Sequence, residues 1–78
     1  MRQQFNYPDN FFQLLMKRNK LIRYLGKNGC IIIREGSNHT LYRNITNGRI
    51  STVPRHPDIK ENLCRKIFKD LGIGDILK

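Results

Sequence analysis

GCIIIREGSNHTLYRNITNGRISTVP, residues Gly29 to Pro54, decides the fold, because three runs of strand-forming residues alternate here with turn-forming ones. Cys30-Ile31-Ile32-Ile33 is apolar and rich in β-branched side chains, and Arg34, Glu35 and Gly36 end it, as expected of a strand largely buried in a sheet. A second strand is expected over His39 to Ile45 and a third over Arg49 to Val53. Between them Asn47-Gly48 is a residue pair that favours a type I′ hairpin, since both central positions of that turn need positive φ. Pro54 and Pro57 lack an amide hydrogen, so they stop the ladder and hold Arg55 and His56 in a stiff, extended connector.

Helices are expected on both sides of this stretch. From Lys17 to Asn28 the apolar residues Leu21, Ile22 and Leu25 fall at helical spacing among lysines and arginines, and Gly29 is placed to stop the helix. Phe11, Leu14 and Leu15 continue that spacing upstream, so residues 1–15 are either the start of the first helix, beginning soon after Pro8 and Asp9, or a loose N-terminal extension. Downstream, Asp58 followed by Glu61 fits a capping box, and Leu63, Ile67 and Leu71 then recur four apart. Gly72 suits a left-handed cap with Ile73 folding back as its apolar partner, and residues 74–78 read as a short tail. The order helix, three strands, helix gives an α+β fold, with two helices packed on one face of a three-stranded antiparallel sheet.

The chain has 78 residues, enough for one domain with a modest core and too few for a large buried cofactor cavity. Fifteen lysines and arginines against six acids leave a formal net charge of +9, a field that favours a polyanionic partner, nucleic acid foremost. The charge is concentrated: Lys17, Arg18, Lys20, Arg23, Lys27 and Arg34 fall within 18 residues that hold no acid. Cys30 and Cys64 are far apart and form no Cys-x-x-Cys pair, so both read as buried apolar residues in a reducing cytoplasm. The apolar runs are too short for a membrane span, and no secretory leader is expected.

His39 is the residue on which chemistry would turn. It follows Gly36, Ser37 and Asn38, types that tolerate tight turns, so it should open the second strand at the rim of the sheet. Imidazole titrates near neutral pH and can take a proton from a nucleophile or give one to a leaving group. A lone histidine beside a turn more often has an ordinary surface or hydrogen-bonding role, and alternation along 39–45 does not decide which face is buried. His56, between prolines and beside Arg55, reads as an anchor of the connector or a contact for a partner. Glu35 is isolated from other carboxylates, so a two-metal site is unsupported, and Cys30, His39, His56 and Cys64 match no zinc spacing. Neither metal nor cofactor is expected. Tyr24, Tyr42 and the phenylalanines are candidates for stacking on bases, with Phe68 placed instead in the core.

Taken in order, Leu21-Ile22-Arg23-Tyr24-Leu25 with Lys27-Asn28-Gly29, Gly36-Ser37-Asn38-His39, Val53-Pro54-Arg55-His56-Pro57 and Leu63 to Ile73 resemble the HicA toxin family of bacterial and archaeal toxin–antitoxin systems. The resemblance covers residues 16–73. It implies a fold like the double-stranded-RNA-binding domain and an endoribonuclease that cleaves mRNA without the ribosome; with neither a carboxylate cluster nor a zinc spacing in the sequence, that cleavage is expected to be metal-independent. It also implies neutralisation by a HicB-type antitoxin. The histidine that closes the family's Gly-Ser-x-His segment is its catalytic residue, which carries over to His39; Asn38 departs from the more common histidine before it. With that function, Arg34 and Arg43 are expected to contact RNA phosphates, joined by Ser37, Asn38, Lys20 and Arg23, while Arg55 and His56 are structural or bind a partner. The competing readings are a noncatalytic RNA-binding domain and a basic protein whose target is an acidic protein.

Overall fold

Leu21, Ile22 and Leu25 keep their helical spacing in α1, Arg18–Lys27, which buries Leu21 and Leu25 and turns most of its cations outward. The computed structural model describes residues 15–77. Helix α1 ends as the sequence implies: Asn28 donates its amide to the carbonyls of Tyr24 and Leu25, and Gly29 takes φ +77° to redirect the chain. Upstream, Leu15–Lys17 is a short strand, β1, so the helix does not run back through Leu15. Phe11, Leu14 and the expected start after Pro8 and Asp9 lie outside the described residues.

Strands β2 (Cys30–Glu35), β3 (His39–Asn44) and β4 (Ile50–Pro54) form the expected antiparallel sheet in that order. Residues 45–49 connect β3 to β4, so the two-residue type I′ hairpin expected at Asn47-Gly48 is replaced by a longer loop. The side chain of Asn44 accepts from Thr46 N and that of Asn47 from Arg49 N, local bonds that compete with a tight hairpin. Of the two turn residues, Gly48 has φ +77°. The same loop caps α2, the second helix, Glu61–Leu71. Asn44 and Asn47 both donate to Leu71 O, and Arg49 donates to the carbonyls of Asp70 and Lys69, placing a cation at the negative end of the helix dipole.

Asp58 does not cap α2. It belongs to β5, Asp58–Lys60, which pairs antiparallel with β1 through Leu15↔Lys60, Met16↔Ile59 and Lys17↔Asp58. Its carboxylate meets Lys17 Nζ at 2.9 Å instead of turning to the helix, whose N-cap is Lys60 without a side-chain cap. At its other end α2 closes as expected: Gly72 is left-handed at φ +69°, and the amide of Ile73 reaches back to Phe68 O. The residues after it are tied back too, by Arg65 to Leu77 O and by Tyr24 Oη to Gly74 O.

Both helices cover one face of the sheet. Tyr42 and Val53 meet Leu21, Leu25, Ile67 and Phe68 there, each large apolar side chain contributing about 1.5–3 kcal/mol by burial. Tyr24 of α1 packs edge-on against Phe68 of α2 at 5.3 Å between ring centres. The alternation in β3 that the sequence leaves open is settled: Thr40, Tyr42 and Asn44 point into the core, and His39, Leu41 and Arg43 to the uncovered face.

The first strand departs most from expectation. Ile31, Ile32 and Ile33 are each about half exposed rather than buried, at 50%, 48% and 47%. Among the described residues β2 is an edge strand and no layer covers its outer face, and a bulge between Ile32 and Arg34 breaks its register with β3.

Candidate functional site

The loop between β2 and β3, residues 36–38, is held from three sides. Gly36 donates its amide to His39 O at 2.8 Å, an approach so close that a Cβ on Gly36 would lie 2.9 Å from that oxygen. Arg55 donates its backbone amide to Asn38 O and its Nη1 to both Glu35 Oε1 and Gly36 O. Under the loop, buried Thr40 donates its hydroxyl to Glu35 Oε1 at 2.8 Å and accepts from Arg18 Nη2 at 3.0 Å. A chain of contacts therefore runs from the start of α1, through β3, to the end of β2 and the connector.

Arg18 also fixes the connector. Its Nε donates to Pro54 O and its backbone amide to Pro57 O, each at 2.8 Å, so the two residues between those prolines are pinned at both ends. The expected stiffness thus comes from one arginine as well as from proline geometry. The expected anchoring by His56 is made by Arg55 and Arg18 instead: His56 is exposed and has no hydrogen bond among the described residues.

His39 opens β3 opposite Pro54 and is exposed. Two hollows meet at it. One, of about 440 Å³, opens on the uncovered face and is lined by Arg34, Gly36, Ser37, Asn38, His39, Leu41 and Thr52. The other, of about 370 Å³, faces the connector and is lined by Ser37, Asn38, His39, Arg55 and His56. Of the residues singled out in the sequence, Arg34, Ser37, Asn38, Arg55 and His56 are therefore brought to His39. Arg43 is not; it lies further along β3, paired with Ile31 and Ile50.

Lys20 and Arg23 line a separate cleft of about 540 Å³ between α1 and the connector, which shares Arg55 with the His39 hollow. Arg34, Arg43, Lys20 and Arg23 have no ion-pair partner among the described residues. The contrast between the helices is plain. Arg65 and Lys66 of α2 are matched by Glu61 and Asp70 four residues away, whereas α1 contains no acid.

Sequence reasoning missed Glu35, Thr40, Arg18 and Thr52 as parts of the site. For Glu35 a signal existed: it is the sole acid between Asp9 and Asp58. Of the residues proposed for stacking, Tyr42 is in the core and Tyr24 packs against Phe68, itself buried as expected, while Phe5, Phe11 and Phe12 lie outside the described residues. Burial pushes the Tyr42 phenol above its ordinary value, with Arg18 opposing and Glu35 adding to the shift. Among the described residues no three His, Cys, Asp or Glu side chains are grouped to hold a metal ion. No described helix is long and apolar enough to cross a membrane.

Fold and site together define a small basic α+β protein that presents an exposed histidine among cations at the rim of a sheet. The family model described as the HicA toxin of bacterial toxin–antitoxin systems matches residues 18–73, from the first residue of α1 to the residue after the left-handed cap. The chain belongs to the HicA toxin family, and that membership implies a toxin role and a HicB-type antitoxin as partner. No curated protein and no solved structure matches the chain.

Proposed function

We propose that this toxin is an endoribonuclease acting in the cytoplasm on mRNA, independently of the ribosome and of metal ions, with His39 in general acid–base catalysis. The observation that carries the reading is the position of His39 where two hollows meet, beside Arg34 in one and Arg55 in the other. The RNA 2′-hydroxyl loses its proton and attacks the adjacent phosphorus; an O2′–P bond forms and the P–O5′ bond breaks. The products are a 2′,3′-cyclic phosphate and a 5′-hydroxyl. Arg34 and Arg55 stabilise the charge that grows on the phosphoryl oxygens. DNA has no 2′-hydroxyl and is spared.

Metal independence is supported by the donor set, since His39 stands beside cations and Glu35 is engaged by Thr40 and Arg55. The test is incubation of purified protein with single-stranded RNA in chelator, beside His39→Ala. The variant should lose about a hundredfold to ten-thousandfold in rate and keep its fold and most of its RNA affinity. Cleavage by the variant at the full rate rejects the assignment, and tight binding of RNA that stays intact favours a noncatalytic RNA-binding domain.

A further inference from the structure

Two protons must move in the proposed cleavage. One leaves the 2′-oxygen as it attacks, and one reaches the 5′-oxygen as it departs. In an in-line displacement these oxygens lie on opposite sides of phosphorus, so a single imidazole is poorly placed to serve both. A second proton-transfer group approaching from another segment answers the geometry.

We infer that His56 is that group, a second catalytic residue that shares the proton transfers with His39; the inference rests on the ribonuclease reading. His56 lies two residues beyond Pro54, the ladder partner of His39, and the two histidines line the same 370 Å³ hollow from different segments, β3 and the connector. Arg55 lines it as well, and its amide bond to Asn38 O ties the connector directly to the loop before His39. His56 is exposed, and neither of its ring nitrogens is hydrogen-bonded to a described residue. It is nevertheless held in place. Arg18 grips the carbonyls of Pro54 and Pro57 on either side, so the backbone that carries the imidazole is fixed without using the imidazole. A residue that merely anchored the connector would show the opposite pattern, buried and hydrogen-bonded.

The proton balance closes within the pair. One imidazole takes the 2′-hydroxyl proton and ends charged; the other, charged at the outset, gives its proton to O5′ and ends neutral. Exchange with water restores both.

The experiment compares an ordinary RNA dinucleotide with one whose 5′-bridging oxygen at the cleavage site is sulfur, a leaving group that departs without protonation. On the oxygen substrate His56→Ala and His56→Gln should each lose on the order of a hundredfold or more in kcat. On the sulfur substrate one histidine's variants should return to near the wild-type rate, which marks that residue as the acid, while the other histidine's variants stay slow. Wild-type rates in the His56 variants, recovery with His56→Gln on the oxygen substrate, or no rescue of either histidine by sulfur would overturn the inference. Should His39→Ala prove fully active on both substrates, the ribonuclease assignment of His39 fails separately, whatever His56 does. Circular dichroism of each variant identifies loss of fold, and a loss that only misfolded variants show counts against the inference.

Discussion

Arg55 Nη1 lies 2.6 Å from Glu35 Oε1, an ion pair between residues 20 positions apart that closes the loop bearing Ser37 and Asn38. Both side chains are about half exposed, so the pair itself contributes little stability, about 0–1 kcal/mol. Its effect is on position, because the same arginine binds Gly36 O and, through its amide, Asn38 O. Glu35→Gln is therefore expected to lower kcat for RNA cleavage by roughly tenfold to a hundredfold while the melting temperature stays nearly constant. Initial rates and a thermal melt on one preparation separate the two effects.

Thr40 occupies the buried centre of the same network. Thr40→Val keeps the shape and deletes the hydroxyl that bonds both Arg18 and Glu35. The expected loss is about 1–3 kcal/mol in urea denaturation, because charged partners are left short of a bond beneath the sheet. Thr40→Ser should recover most of it.

Gly72 is left-handed, and a Cβ there would lie 2.7 Å from Asn47 Nδ2 and 3.2 Å from Arg49 Cδ. Gly72→Ala should thus strain the backbone and push aside the side chains that cap α2. About 1–2 kcal/mol is expected from the left-handed conformation alone. For a domain of this size the melting temperature falls by roughly 4–8 °C per kcal/mol, while the cleavage rate of the folded protein is unchanged.

Lys20 and Arg23 stand on a helix without acids and line the cleft that shares Arg55 with the His39 hollow. If each meets one phosphate of a single strand, the Lys20→Ala, Arg23→Ala double variant flattens the slope of log affinity against log salt by about 1.4. Binding titrations from low to moderate salt measure it. An unchanged slope would show that these two cations only face solvent.

Burial pushes the thiols of Cys30 and Cys64 above their ordinary value of 9.0, and the charges of Glu61 and Asp75 raise Cys64 further. An acid with a raised pKa in the folded state stabilises the fold fully below its unfolded pKa, and that contribution is lost as pH climbs through the folded one. The buried phenol of Tyr42 acts in the same direction from its ordinary 10.0. Urea midpoints should accordingly fall above about pH 9, and native protein at pH 8 should resist thiol alkylation that proceeds readily in urea.

Local signals carried most of the fold. Gly29 and Gly72 punctuate the helices because positive φ is a property of one residue, and the three strands stand between turn-forming residues in the chain itself. What escaped depends on partners distant in sequence. Asp58 resembles a helix cap until Lys17, on a strand 41 residues earlier, takes its carboxylate. Cys30 to Ile33 reads as a buried strand because periodicity reports hydrophobicity, and hydrophobicity does not reveal whether a second layer exists to cover it. The candidate site divides in the same way. Gly36 to His39 is contiguous and was legible, whereas Arg18, Thr40 and Glu35 meet only in three dimensions.

The uncovered isoleucines of β2 have a colloidal consequence. A strand edge flanked by half-exposed Ile31, Ile32 and Ile33 is a template for pairing between molecules, and what opposes that pairing is mutual repulsion of bodies that each carry a net +9. Salt or a polyanion that neutralises the charge also removes the repulsion, so isolated protein should scatter more light as ionic strength rises. Ile32→Lys, which adds charge at the edge itself, should suppress that self-association.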